Sequence, residues 1–331
     1  VDSWGVDVIV DGEADLVVKR LAQKILDGEP LPRYVQVGRD DVPAVDEIPV
    51  IRGASVNGLV EVMRGCPRGC SFCSVTLRPL RHIPLDVVER EIVVNTSSGL
   101  IGGILHSEDV LLYGSSGVIP NEGPLVRLHE VALKHLKSIA WSHVSLAAVV
   151  VAERQGRMLS KITDMVYSRA EQEYIGVEVG IETGSPRLAA KLMAGKSAPF
   201  PPEKYPEIVE EAFSIMHELR IVPAATFILN LPGETPEDVV KTRELIERLR
   251  GYRSIIVPMI FVPMGRLRGD RDAIARVRIT REHVDAMKAA LDHSLMWAER
   301  IMNEFYLKGV GSAALRVLLR YFLSLTRWKA G

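Results

Sequence analysis

From residue 58 onward, apolar runs and amphipathic stretches alternate, and this alternation limits the fold more than any other feature of the chain. The runs are LVEVM (59–63), DVLLY (109–113), IAWSHVSL (139–146), YIGVEVGI (174–181), VPAATFILNL (222–231) and SIIVPMIFV (254–262). Helical spacing fills 85–95, 124–137, 157–168, 204–219 and 236–250. Strands separated by helices predict a parallel sheet covered on both faces. The expected fold class is α/β, a partial (β/α)6 TIM-like barrel over 58–265. Too little chain follows residue 265 for a closed barrel of eight units.

The flanks differ. Residues 1–32 read as strand, turn and helix, with Gly28 ending the helix. One βα unit cannot bury both faces of its strand. The chain also starts at Val1 rather than Met, so this unit is expected to be the tail of a larger domain. Residues 33–57 have linker chemistry, with Pro43, Pro49, Gly38 and Gly53. Residues 266–331 read as a helical C-terminal extension. A long amphipathic helix begins near 281, and a Gly-Val-Gly break lies at 309–311. The following helix, 312–329, puts Leu315, Leu318, Leu319, Phe322 and Leu325 on one face, among arginines. That face could lie on a membrane surface or pack against protein; the pattern leaves both open.

The chain has three cysteines, Cys66, Cys70 and Cys73, in the run CPRGCSFC. None is left over for a structural disulfide, so a reducing, cytoplasmic setting fits. Three thiolates so close can converge only from a loop. Gly65 and Gly69 allow tight turns there, and Pro67 stiffens the first. The loop follows the C-terminal end of the first barrel strand, the end where such folds carry active sites. Zinc usually takes four protein ligands, or three and a water. No fourth cysteine exists, and the nearest histidine, His82, has no matching spacing. An iron–sulfur cluster with one iron left open is the expected occupant. The formal net charge of -1 supplies no global attraction to nucleic acid.

CPRGCSFC resembles the cluster motif of the radical S-adenosylmethionine (SAM) superfamily. The resemblance implies that Cys66, Cys70 and Cys73 bind three irons of a [4Fe-4S] cluster and that the fourth iron chelates SAM. The reduced cluster then cleaves SAM to methionine and a 5′-deoxyadenosyl radical. Phe72 would pack near the adenine. LLYGSSG would place Gly114, Ser115 and Ser116 near the SAM amino group, although no glutamate follows the glycine directly. EVGIETGSPRL would bring Glu182 to the ribose, with Gly184 and Ser185 opening the next helix. Glu178, four residues earlier, would share its face. NLPGETPEDVV resembles the family's Leu-Pro-Gly-Glu-Thr turn, where Asn230 and Glu234 could face the pocket. At FVPMGRLRG the chain departs from the family's Pro-Gly-Thr, since Met264 stands in that turn.

Residues 6–32 resemble the end of a cobalamin-binding domain, which precedes the barrel in one large branch. Gly12 and Glu13 match its Gly-Glu turn. The resemblance implies cobalamin held by an upstream domain, and methylation of an unreactive carbon. Alternatives are a radical cyclase or rearrangement enzyme, a methylthiotransferase acting on tRNA or a ribosomal protein, and a binding module using the cluster as a staple. An electron donor such as flavodoxin or ferredoxin is implied. The substrate is expected to be a small molecule, lipid or peptide. His106 and His143 are expected near strand ends as proton handlers.

Overall fold

The computed structural model describes residues 5–269 and 277–330, and the chain divides into two compact units, Val1–Gly53 and Ala54–Gly331. In the first, β1 (Ile9–Asp11) and β2 (Tyr34–Gln36) pair in parallel, joined through α1 (Asp15–Leu26). The segment read as linker therefore contributes a strand to this unit. Gly12 allows the close approach of the chain after β2: a Cβ there would lie 2.4 Å from Val37 Cβ.

The second unit begins with β3 (Leu59–Glu61), β4 (Met63–Arg64), β5 (Arg81–His82), α2 (Leu85–Ser97) and β6 (Gly102–His106). It continues with α3 (Glu122–His135), β7 (Ser138–Trp141), α4 (Leu146–Arg154), α5 (Met158–Arg169) and β8 (Ile175–Glu182). Then come α6 (Pro186–Ser197), α7 (Tyr205–Glu218), β9 (Ile221–Leu229), α8 (Pro236–Arg248), β10 (Ile255–Ile260), α9 (Arg281–Ile301) and α10 (Ala313–Ala330). β3–β6–β7 and β8–β9–β10 are parallel ladders. They meet where the Val144 N–H donates to the Glu178 carbonyl (3.1 Å) and the Glu178 N–H to the Ser142 carbonyl (2.9 Å). Six parallel strands thus follow one another in chain order. Among the described residues no ladder joins β10 to β3, so the sheet is an arc with two free edges. α9 shields the β10 edge locally: Ser294 Oγ bonds to both the N–H and the carbonyl of Ile256.

Two sequence expectations move. The second strand of the arc is Gly102–His106, not 109–113; residues 110–112 form a fully buried turn of 3-10 helix. Glycines in the strand hide its alternation, yet packing demands them. A Cβ on Gly102 would lie 2.4 Å from Ser138 Oγ, and one on Gly103 2.8 Å from Leu136 Cδ1. The other is α4, which none of the helical stretches anticipates, because an apolar run without a polar face carries no helical period. It is buried all round, packs against α5 and α7, and is capped by Ser145 Oγ, which accepts from the Ala148 N–H.

In α10, Leu315, Leu318 and Phe322 are exposed, and the Leu325 side chain lies outside the described residues. No described helix is long and apolar enough to cross a membrane.

His129 sits wholly buried between α3 and β7, where Nδ1 donates to the Leu125 carbonyl (2.8 Å) and Nε2 accepts from Trp141 Nε1 (2.9 Å). Only the neutral ring can serve both partners. Burial pushes its pKa down to about 4, and burial does the same to His293. The unfolded chain therefore binds more protons than the native state between pH ~6.5 and ~4. Stability should be fully present above that window and fall as pH drops through it. Thermal melts from pH 7.5 to 5 should show the decline, and His129→Gln should flatten it while lowering stability at neutral pH by about 1–3 kcal/mol. A variant melting curve parallel to wild type would count against this assignment.

Candidate functional site

The cysteine loop is closed at its base by the β4–β5 ladder, Met63↔His82 and Arg64↔Arg81. Gly65, at φ +88°, lets the loop cross itself there, since a Cβ would lie 2.4 Å from the Pro79 carbonyl oxygen. Inside, Thr76 Oγ1 donates to the Cys73 carbonyl (2.9 Å). Two other segments hold the loop from outside. On the α6 side, the Ser71 N–H donates to the Leu192 carbonyl (2.9 Å), and Gly195 packs flat against Arg68. On the other, the Arg266 N–H donates to the Ser71 carbonyl (3.0 Å), while Gly265 lies against the Cys73 backbone. The turn with the unusual Met264 is therefore one wall of the loop.

Arg68, between the first two cysteines, is the buried centre of this arrangement. Its Nε donates to Asp109 Oδ2 (3.1 Å), and its Nη1 to the carbonyls of Gly195, Lys196 and Ala198 (3.3, 3.2 and 3.1 Å). The side chains of Arg68 and Asp109 are 3% and 0% exposed.

All three cysteines face one cavity of about 500 Å³ at the C-terminal ends of the arc strands. Phe72, Glu178 and Glu182 also line it, as expected. So do His106, Glu108, His143 and Lys196. Burial pushes the Cys66 thiol up to about 12 and raises that of Cys70. Among the described residues, no three Cys, His, Asp or Glu side chains converge on a point where one metal ion could sit. A single zinc needs such convergence, with sulfurs about 2.3 Å from one centre. A cluster does not, because each thiolate takes its own iron. His82 is also no candidate: Nδ1 accepts from the Gly114 N–H (3.1 Å) and Nε2 donates to the Ser115 carbonyl (2.9 Å).

The cavity is short of partners. Buried atoms without a hydrogen bond include Arg68 Nη2, His106 Nδ1, Glu108 Oε2 and Asp109 Oδ1, all in or beside it. Such atoms are costly when left unpaired, and their grouping here fits a polar, charged guest. The donor set and this deficit together fit a cluster and a zwitterionic cofactor.

Glu182 ends β8 with φ +61°, beside a register shift at Gly180. Its carboxylate is paired with Lys196 inside the cavity. Glu178 is open to solvent and holds His143 Nε2 at 2.8 Å. Phe72 is buried against the loop.

Other expected residues do not line this cavity. Gly114, Ser115 and Ser116 follow the buried 3-10 turn, not a strand end. The Ser115 hydroxyl serves the carbonyls of Ile119 (2.5 Å) and Gly117 (3.2 Å). The shift of β6 explains this, because the segment at its C-terminal end is Ser107–Glu108–Asp109. Glu108 was therefore overlooked, although an acid two residues beyond an apolar strand end was a legible signal. Ser185 caps α6: its Oγ accepts from the Leu188 N–H and donates to Asp238 Oδ1 (2.5 Å). Asn230, at φ +62°, lines a separate cavity of about 410 Å³ with Glu234 and His283. There Glu234 Oε1 accepts from the Asn230 N–H and from His283 Nε2, both at 2.8 Å. Burial raises the Glu234 carboxyl.

Comparisons with known proteins bear on this site. The sequence model of the family described as "Radical SAM superfamily" matches residues 60–246, more than half of the chain. A tRNA-2-methylthio-N(6)-dimethylallyladenosine synthase of Magnetococcus marinus is 27% identical over 239 residues, 70% of this chain and 49% of that protein. An uncharacterized protein of Methanopyrus kandleri is 30% identical over 200 residues, 57% of this chain and 34% of that protein. The chain thus spans about half or less of these relatives. Among solved structures, TsrM of Kitasatospora setae, a radical S-adenosylmethionine methyltransferase with cobalamin and a [4Fe-4S] cluster bound, superposes with a TM-score of 0.53. It is 17% identical, covering 85% of this chain and 58% of that one. At that identity the likeness speaks for the fold.

A side chain at residue 195 would strike the cysteine loop, because its Cβ would lie 1.9 Å from the Arg68 carbonyl oxygen. Gly195→Val should therefore lower iron retained after anaerobic loading by at least about half, with helix content unchanged. Full iron retention in that variant would show that the loop does not depend on this contact.

Proposed function

Because the chain belongs to the radical SAM superfamily, a class of enzymes that uses a [4Fe-4S] cluster and SAM, we propose that it serves a cobalamin-dependent methyltransferase acting on an unreactive carbon. The observation that carries the site assignment is the shared cavity: three thiols and several unsatisfied polar atoms meet there. The likeness to TsrM supports the methyltransferase branch and the cobalamin. The first unit, with its parallel βαβ core, is proposed as the tail of the cobalamin-binding domain, 58–265 as the barrel and 266–331 as the extension.

When bound, the cluster and SAM supply the radical, and the hard chemistry is theirs. The protein's part is to hold, orient and shield. Cys66, Cys70 and Cys73 are proposed to hold three irons. Phe72 would stack on the adenine. The free oxygen of Glu108 suits the SAM ammonium, and Arg68 Nη2 the carboxylate. Glu182 is proposed at the ribose. The hydrogen lost from the carbon would leave on 5′-deoxyadenosine, so no base is needed; His143, held by Glu178 on the cavity wall, is proposed to position the substrate. Reduction requires an external low-potential donor of the flavodoxin or ferredoxin class. A reducing, cytoplasmic setting is proposed with it.

A methylthiotransferase is the second reading, favoured by the sequence relatives. The two separate on one assay. Full-length protein should bind corrinoid and move label from methyl-deuterated SAM to carbon; RNA-bound methylthio product would establish the alternative.

Anaerobic loading should give about four iron and four sulfide per chain, and dithionite should then release 5′-deoxyadenosine and methionine from SAM. Cys70→Ala should abolish both. Zinc in place of iron would refute the assignment. With substrate present, His143→Gln should leave 5′-deoxyadenosine formation within about twofold while lowering product by up to ~10²-fold, the loss that misplacement of a substrate can bring. Equal losses of both would place His143 in cofactor binding instead.

A further inference from the structure

Lys196 is a half-buried cation that the fold makes room for. Its side chain is 14% exposed and that of its partner Glu182 10%. An ammonium in such a place costs several kcal/mol in lost hydration, and a methionine would fill the volume without that cost. The backbone accommodates the pair deliberately. Gly180 lies beside it on β8, where a Cβ would be 2.5 Å from Lys196 Nζ and 1.9 Å from Glu182 Oε1. Lys196 closes the last turn of α6, the turn whose carbonyls hold Arg68 and so the cysteine loop. Its side chain reaches the same cavity as Cys70.

Lys196 keeps its charge there because its ammonium is paired directly with the Glu182 carboxylate. A cubane cluster with three thiolates is anionic, and one more electron makes it more so. A nearby fixed cation that is largely out of water favours the more negative form. Net charge around a cluster is one of the levers on its potential.

We propose that Lys196 sets the reduction potential of the cluster held by Cys66, Cys70 and Cys73, its ammonium in the shared cavity favouring the reduced state. This rests on the cluster reading above. The step is a one-electron transfer: a low-potential donor is oxidised, the cluster is reduced, and no bond forms or breaks. Glu182 keeps the ammonium in place and moderates its field.

The test is a redox titration of anaerobically loaded protein without SAM, with dithionite as reductant and the EPR signal of the reduced cluster as readout. Iron and sulfide are measured on every sample. Lys196→Met, with iron retained, should be about tenfold harder to reduce at a fixed donor potential, or ~59 mV lower. Lys196→Arg should stay near wild type. Glu182→Gln should move the potential upward, since the anionic cluster keeps the ammonium charged. A loaded Lys196→Met protein with wild-type potential overturns the proposal, and with weakened SAM binding it makes Lys196 a SAM ligand instead. If Lys196→Met holds no iron, Glu182→Gln decides: an upward shift supports the proposal, and an unchanged or lower potential ends it. Wild-type protein without iron would overturn the cluster reading itself.

Discussion

The Arg68–Asp109 ion pair is the contact on which the site depends. It joins three parts of the chain distant in sequence: the cysteine loop, the segment after β6 and the end of α6. Asp109 also accepts from the Ser145 hydroxyl, which caps α4. Both side chains are out of water, so neither tolerates loss of the other; a broken buried pair typically costs about 3–5 kcal/mol. Arg68 in turn satisfies three carbonyls at the end of α6, which a helix leaves without intrahelical partners. One guanidinium thereby completes a helix terminus and anchors the loop that carries the thiols.

Much of the architecture was legible because burial on both faces writes long apolar runs. β8, β9 and β10 fall within a residue or two of their runs. The cysteine loop was legible for a different reason, since three thiols in eight residues admit few geometries. What escaped did so for physical causes. β6 starts with two glycines that close packing requires, so its side chains could not show a period. α4 is apolar all round and β-branched, and periodicity cannot separate such a helix from a strand. The misplaced strand then hid Glu108. Lys196 carries no local signal; only the fold brings it to the cavity of the cysteines.

Sequence relatives and structural neighbours point to different branches, and the reason lies in what each comparison weighs. The 27% identity to a tRNA-modifying synthase, over 239 residues, counts matching side chains. The superposition with TsrM weighs backbone path over most of the chain. The His143–Glu178 pair, open to solvent, lines the same cavity as the cysteines.

The two edges of the arc, which no ladder joins among the described residues, have a further effect. A closed barrel has its bore dictated by strand number and stagger. Here nothing of that kind sets the radius, and side-chain bulk along the open margin does so instead. Val257 and Met259 stand on that margin, paired in register with Thr226 and Ile228 and partly open to solvent. Trading these residues for larger or smaller ones alters the aperture without breaking a ladder. The width between the two margins can therefore be retuned by side chains alone, while the ladders and the cysteine loop keep their places.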